Sequence, residues 1–239
     1  MTEPWGINAI IFGGPKVGKS FLADTTPAPR LVLDAEGGSR FTPSRKKIWD
    51  PKEPPPEPDG TWDTAVVYVR SFRDLEQAYS WLASGKHKFR SLVLDSISEA
   101  QQRCIDAISG VNPMKQDNWG QLLRVVSDLS RKMRDLTIHP TNPLDAVIII
   151  AMARKKDDVW EPYVQGSLST SLPYFFDLCM YLAPVINAET GEMIRRLFIG
   201  SFPGYVTGER VGGCLGTYLD NPSISDMLHV VRKHTGQEG

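Results

Sequence analysis

The sequence predicts an α/β fold, a mainly parallel central sheet flanked by helices, and three observations predict it. Short β-branched runs recur at "INAIIF" (7–12), "RLVLD" (30–34), "AVVYV" (65–69), "SLVLD" (91–95) and "AVIIIA" (146–151). Continuous apolar runs of this length mark strands buried on both faces of a parallel sheet. Segments of helical pattern lie between them. Finally, "LCMYLAPVINAETGEMIRRLFIG" reads as two strands about an "NAETG" turn, an antiparallel hairpin extending the sheet. The chain has 239 residues and is 41% hydrophobic, enough for one sizeable core, so residues 1–239 read as a single domain.

Taken in order, the first strand runs into "GGPKVGKSFLAD" and a very short helix, from Lys19 to about Thr25, stopped by Pro27 and Pro29. After the second strand comes an insertion over 43–62. Its "DPKEPPPEPDG" (50–60) carries five prolines, which rules out a helix or central strand and predicts an exposed, semi-stiff loop. The next helix opens at a Ser71 cap and stops at Gly85; another follows the fourth strand from Ser96 to Ser109 and ends at Gly110. In "DNWGQLLRVVSDLSRKMRDL", Trp119, Leu122, Leu123, Val126, Leu129, Met133 and Leu136 form one apolar stripe, the mark of a helix lying on the sheet. A glycine-rich passage (200–216) and a helix near 223–235 complete the segment 200–239. There is no internal repeat.

Charge and cysteines set limits on function. With 27 basic against 28 acidic residues, no overall positive field draws the chain to nucleic acid or to an anionic membrane, so any such binding needs a local patch. Cys104, Cys179 and Cys214 are scattered and odd in number, which suggests neither a disulfide framework nor a zinc site and fits a reducing cytoplasm. "MTEPWG" lacks a leader pattern, and no run approaches the roughly 20 apolar residues of a membrane span. His87, His139, His229 and His234 are scattered as well, and none is assigned a metal or catalytic role.

Gly13, Gly18, Lys19 and Ser20 satisfy G-x-x-x-x-G-K-[ST] between a strand and a helix start. Glycines let backbone N–H groups converge on phosphate oxygens, and the helix start adds its positive end. The expected nucleotide contacts are Gly13, Gly14, Pro15, Lys16, Val17, Gly18, Lys19, Ser20 and Phe21, with Lys19 reaching the β- and γ-phosphates and the Ser20 hydroxyl on Mg²⁺. "SLVLD" delivers Asp95 to the carboxyl end of a strand, where ligands of open α/β sheets sit, as a second magnesium-side group. Glu36 lies just past the end of another strand, where it can stand beside the γ-phosphate as general base. Glu36 and Lys19 are thus the expected catalytic pair, with ATP and Mg²⁺ the expected cofactors.

The order "GGPKVGKS", "LDAEGG", "LVLDS", "VIIIAMARKK" resembles the ATPase core of the RecA/RadA recombinase superfamily. The abbreviated first helix and the "EGG" ending are more similar still to the small phage single-strand annealing ATPases, the fourth Sak group, as is "TGERVGGCLGTYLDNP". The resemblance implies a RecA-like P-loop fold, Glu36 as the catalytic glutamate and Asp95 as the Walker B aspartate. It also implies ATP-driven annealing or pairing of single-stranded DNA by a ring or filament of identical chains, beside a single-strand DNA-binding protein. By the same resemblance, DNA-contacting loops correspond to 110–118 and 153–171, where Arg154, Lys155 and Lys156 can meet backbone phosphates and Trp160 or Tyr163 can stack on bases. Asp157 and Asp158 directly after the lysines weigh against that. The resemblance places basic hairpin residues, here Arg195 or Arg196, at a neighbouring subunit's nucleotide, with Arg210 a further candidate; adjacent strand residues face opposite sides, so one of the pair at most can serve.

One departure concerns Met152, which stands near the position where the family carries a glutamine or histidine sensing the γ-phosphate; a thioether cannot make that hydrogen bond. A switch or loader acting on a protein partner, and a nucleotide kinase, remain alternatives; "DAEGG" argues against the kinase.

Overall fold

The computed structural model describes residues 6–236. The amino-terminal residues 1–5 of "MTEPWG" and residues 237–239 lie outside the described residues. In chain order the elements are β1 (Ile7–Gly13), α1 (Lys19–Ala23), β2 (Arg30–Asp34), β3 (Lys46–Ile48), β4 (Thr64–Tyr68), α2 (Phe72–Ala83), β5 (Ser91–Asp95), α3 (Ile97–Ser109), α4 (Gln116–Arg134), β6 (Ala146–Lys156), β7 (Val159–Tyr163), α5 (Leu168–Ser171), β8 (Leu178–Ile186), β9 (Met193–Phe198), β10 (Gly208–Glu209), β11 (Tyr218–Asp220) and α6 (Ile224–His234), with short 3-10 turns between.

The strands form one sheet in the order β11-β9-β8-β1-β6-β5-β2-β4-β3, with β10 paired to β8 and β7 to β6. From β8 through β3 the neighbours are parallel; β9, β11, β7 and β10 join antiparallel. Alternation along β1 explains how one strand serves two layers. Ile10 and Phe12 point to a core shared with α2, α3 and α4, while Ile7, Ala9 and Ile11 point to a core shared with α1 and α6. Leu122, Val126, Leu129 and Met133 of α4 are buried on the first face, as their helical spacing predicts. Among the described residues, no helix is long and apolar enough to cross a membrane.

Register decides where the chemistry falls. Asp34 pairs with Asp95 and Gly13 with Met152, so the phosphate loop and two strand-end acids emerge at the same carboxyl edge of the sheet. The strand carrying Asp95 is separated from β1 by β6, which puts Met152 between them.

Two segments differ from the sequence expectation. The insertion 43–62 is not a free loop: it contributes β3 as a parallel edge strand, and Trp49, Pro51 and Trp62 are buried around its exposed proline tip. Trp49 packs 5.8 Å from Phe89, and Trp81 Nε1 donates to the Pro51 carbonyl at 2.9 Å, so indole burial ties the insertion down. Likewise, β6 does not stop at residue 151 but continues through Lys156, because β7 folds back on it and sets Glu161 directly opposite Arg154, where they ion-pair at 2.6 Å.

Candidate nucleotide site

A cleft of about 690 Å³ at the carboxyl edge is lined by residues of the glycine loop together with Glu36, Asp95, Met152 and Arg195. The glycine loop leaves β1 at Gly13 and enters α1 through Gly18, whose φ of 99° belongs to the left-handed region that glycine adopts without strain. Because α1 spans only five residues, it offers no long helix dipole, and anion binding here would have to rest on the loop amides. Of the nine expected contacts, Gly13, Pro15, Lys16, Gly18, Lys19, Ser20 and Phe21 line the cleft; Gly14 and Val17 do not, Val17 packing against the core instead.

Lys19 Nζ donates to the carbonyls of Gly13 and Gly14 at 3.0 and 2.8 Å, folded back along the loop it belongs to. Burial lowers its pKa, opposed by the nearby charges of Glu36 and Asp95. Ser20 Oγ donates to Asp95 Oδ2 at 2.6 Å, joining groups 75 residues apart in sequence. Burial pushes the Asp95 carboxyl up to about 6; the Ser20 hydrogen bond pulls the other way, and Glu36 and Asp34 push up further. A hydroxyl beside an under-compensated carboxylate is a hard oxygen donor set that fits Mg²⁺, which takes few protein ligands and shares its shell with phosphate and water. No cluster of three or more His, Cys, Asp or Glu side chains that could hold a metal ion occurs among the described residues.

Glu36 is positioned by a residue that sequence reasoning missed. The buried carboxylate of Asp34 accepts the amides of Glu36, Gly37 and Gly38 at 3.1, 2.7 and 3.2 Å on Oδ1, and the amide and hydroxyl of Ser39 at 3.0 and 2.5 Å on Oδ2. This turns the "AEGGS" loop around the strand-end acid, with Gly37 at φ +77°, and aims Glu36 into the cleft. Ser96 Oγ donates to Glu36 Oε1, and Gly38 lies so near the Ser20–Asp95 pair that a Cβ there would stand 3.4 Å from Ser20 Oγ. An aspartate ending an apolar strand before two glycines was the available signal for Asp34; the sequence marks Ser96 only as a helix start and gives no sign of its contact with Glu36.

The basic candidates separate. Arg195 lines the cleft of its own chain. Arg196 points to the other face, paired with Asp220 at 2.7 and 2.8 Å and 4.0 Å over the Tyr218 ring. Arg210 donates to the Tyr174 carbonyl at 2.7 Å and lines a separate cavity of about 380 Å³ remote from the glycine loop. Arg154 is held by Glu161 and Ser169, and Lys155 by Asp158 at 2.8 Å, so two of the three expected DNA-contacting cations are neutralised by neighbours; Lys156 is exposed. Trp160 stacks 6.0 Å from Tyr181 within an aromatic cluster, while Tyr163 lies 5.4 Å beneath the Arg154 guanidinium. Met152 lines the cleft between the glycine loop and Asp95, and its backbone N–H donates to Ser98 Oγ at 3.0 Å.

A glycine loop closed by lysine and serine, with one strand between it and a strand-end aspartate on a mostly parallel sheet, defines a P-loop ATPase domain. A family model described as an AAA domain matches residues 6–211, and the chain belongs to that family. Comparison with curated proteins finds no match. Among solved structures, the chain is similar to an ATPase from the type III secretion system of pathogenic bacteria at 14% identity and a TM-score of 0.47, covering 74% of this chain and 52% of that one. It thus spans about half the length of that ATPase. It is also similar to a KaiC-like protein from Pyrococcus horikoshii OT3, at 13% identity and a TM-score of 0.45, covering 91% and 90% of the two chains. Neither score reaches 0.5, so the fold assignment rests on the strand order and the P-loop.

Proposed function

We propose that this P-loop ATPase domain hydrolyses ATP in a Mg²⁺-dependent reaction with Glu36 as the base. The observation that carries this reading is the convergence of Lys19, Ser20, Asp95 and Glu36 on one cleft from three separated segments. Loop amides hold the phosphates, and Lys19 exchanges its Gly13 and Gly14 carbonyls for phosphate oxygens. Ser20, with Asp95 behind it, would hold Mg²⁺, which when bound supplies positive charge to the β- and γ-phosphate oxygens. Glu36 accepts a proton from the attacking water as its oxygen bonds the γ-phosphorus; the bond to the bridging oxygen breaks, and that electron pair leaves with ADP.

Glu36→Gln is the test. Nucleotide affinity is expected to stay within about threefold while turnover falls roughly 100-fold or more. Turnover retained in Glu36→Gln would remove Glu36 from the base position.

For the cellular role, the reading favoured by the resemblance is a phage-type recombination ATPase that assembles on single-stranded DNA and promotes annealing, with a single-strand DNA-binding protein nearby. Exposed Lys156 at the tip of the β6–β7 hairpin supports it. The ion pairs of Arg154 and Lys155, and the packing of Trp160, favour a second reading in which the same hairpin docks on a protein partner and the domain works as a switch or loader. Titrating single-stranded DNA into a turnover assay separates them: stimulation supports the first, and no stimulation together with no DNA binding in the presence of ATP supports the second.

A further inference from the structure

Arg195 occupies a place that the trans role implied by the resemblance does not explain. Its backbone N–H donates to Asn221 Oδ1 at 3.1 Å and its carbonyl accepts the Asn221 N–H at 2.7 Å, so both main-chain groups are tied and the side chain is directed off β9 toward the glycine loop. There it lies against the backbone of Gly18: a Cβ on that glycine would stand 2.6 Å from Arg195 Nε and 2.9 Å from Cζ. The guanidinium carbon is 5.6 Å from the centre of the Phe21 ring. Among the described residues no carboxylate pairs with it, in contrast to Arg196 next door, whose charge is met by Asp220.

On the far side of Phe21 and Arg195 lies a second cavity, about 260 Å³, lined also by Leu22, Thr25, Pro43, Leu182, Asn221 and Pro222. Phe21 and Arg195 are the two residues that line both this cavity and the phosphate cleft. A guanidinium is a planar fork of donors suited to phosphate oxygens, and the amides of a glycine loop cradle the α- and β-phosphates.

We propose that Arg195 binds, in cis, the α/β side of a nucleoside di- or triphosphate held by its own glycine loop, and that the adjoining apolar cavity receives the base. This deepens the P-loop reading and rests on it. Arg195 is therefore a binding residue for phosphates that stay with the product, distinct from a cation reaching across to stabilise the transferred group of a neighbour.

The experiment measures binding of fluorescently labelled ADP and ATP, with Mg²⁺, to the wild-type chain, Arg195→Ala and Arg195→Lys. Arg195 is exposed, so its truncation leaves the core intact, which circular dichroism verifies. Expected is a loss of roughly 10- to 100-fold in affinity for ADP and ATP alike in Arg195→Ala, partly restored by Arg195→Lys, which keeps the charge but not the fork. ADP affinity within about twofold of wild type, or a loss confined to ATP, overturns the proposal. Mixing Arg195→Ala with Lys19→Ala separates cis from trans: a trans cation restores turnover in mixed assemblies, and a cis one does not. If the wild-type chain binds no nucleotide, the P-loop reading fails and carries this one with it; if it binds and Arg195→Ala is unchanged, this one alone fails.

Discussion

Ser96 Oγ donates a hydrogen bond to Glu36 Oε1, linking the first residue after the Asp95 strand to the acid that follows the neighbouring strand. The same hydroxyl accepts the Glu99 N–H at 3.3 Å as the N-cap of α3. Ser96 thus orients the proposed base while closing a helix end.

Substitution by glycine separates the two duties. Glycine is an adequate N-cap, so Ser96→Gly should cost only about 0.5 kcal/mol of stability. Loss of orientation should lower turnover about tenfold with nucleotide affinity unchanged, and Ser96→Thr should restore it. Urea unfolding, equilibrium binding and steady-state turnover on the three proteins check this; equal turnover in Ser96→Gly and wild type rejects the orienting role.

Two residues on, Ser98 clasps the hairpin. Its hydroxyl donates to the Tyr163 carbonyl at 2.6 Å and accepts the Met152 N–H at 3.0 Å, fastening β6 and β7 to the start of α3. Ser98→Ala hands both exposed main-chain groups over to water, a local loss of about 1–2 kcal/mol for the two bonds. Amide exchange at Met152 and along the hairpin should therefore rise roughly tenfold or more, with β1 and β5 unaffected. Exchange unaltered at the hairpin would show that the clasp does not hold it.

Trp62 tests whether the proline-bearing insertion belongs to the core. The residue is 4% exposed and its ring lies 6.3 Å from Phe89, yet its buried Nε1 has no hydrogen-bond partner among the described residues. Trp62→Ala should cost about 3–4 kcal/mol through the cavity it leaves. Trp62→Phe, which keeps much of the volume and removes the unmatched donor, should fall within about 1 kcal/mol of wild type. Denaturant midpoints decide; a small effect of Trp62→Ala would return the segment to a surface loop.

His87 makes stability depend on pH. Burial lowers its pKa from 6.5 to about 4, and the Phe89 N–H donates to its Nδ1 at 3.1 Å, so the folded chain holds it neutral. The unfolded chain takes up the proton near 6.5, and between about 4 and 6.5 it binds more protons than the folded one. Stability is therefore full above that window and declines as pH falls through it, by about 2 kcal/mol once partial solvent screening is allowed for. Urea midpoints at about pH 7.5 and 4.5 should show a smaller acid loss in His87→Gln than in wild type.

Much of this architecture is written locally. The apolar runs at 7–12, 30–34, 91–95 and 146–151 are strands, the "NAETG" hairpin is antiparallel, and the caps at Ser71 and Ser96 open α2 and α3. Periodicity, capping and a glycine loop depend on neighbours a few residues away, which a sequence displays directly.

Other features depend on register and on contacts between distant segments. The charged run 154–156 becomes strand only because β7 supplies a facing carboxylate, and the prolines of 50–60 are carried by a segment whose tryptophans reach the core. Asp34 as the anchor of the "AEGGS" loop, Ser96 on Glu36, and Arg195 rather than Arg196 over Gly18 were decided by the tertiary structure alone. The amino-acid order determined which residue types were available for phosphate chemistry. Strand register, one residue of which exchanges the two faces of a sheet, determined which of them meet.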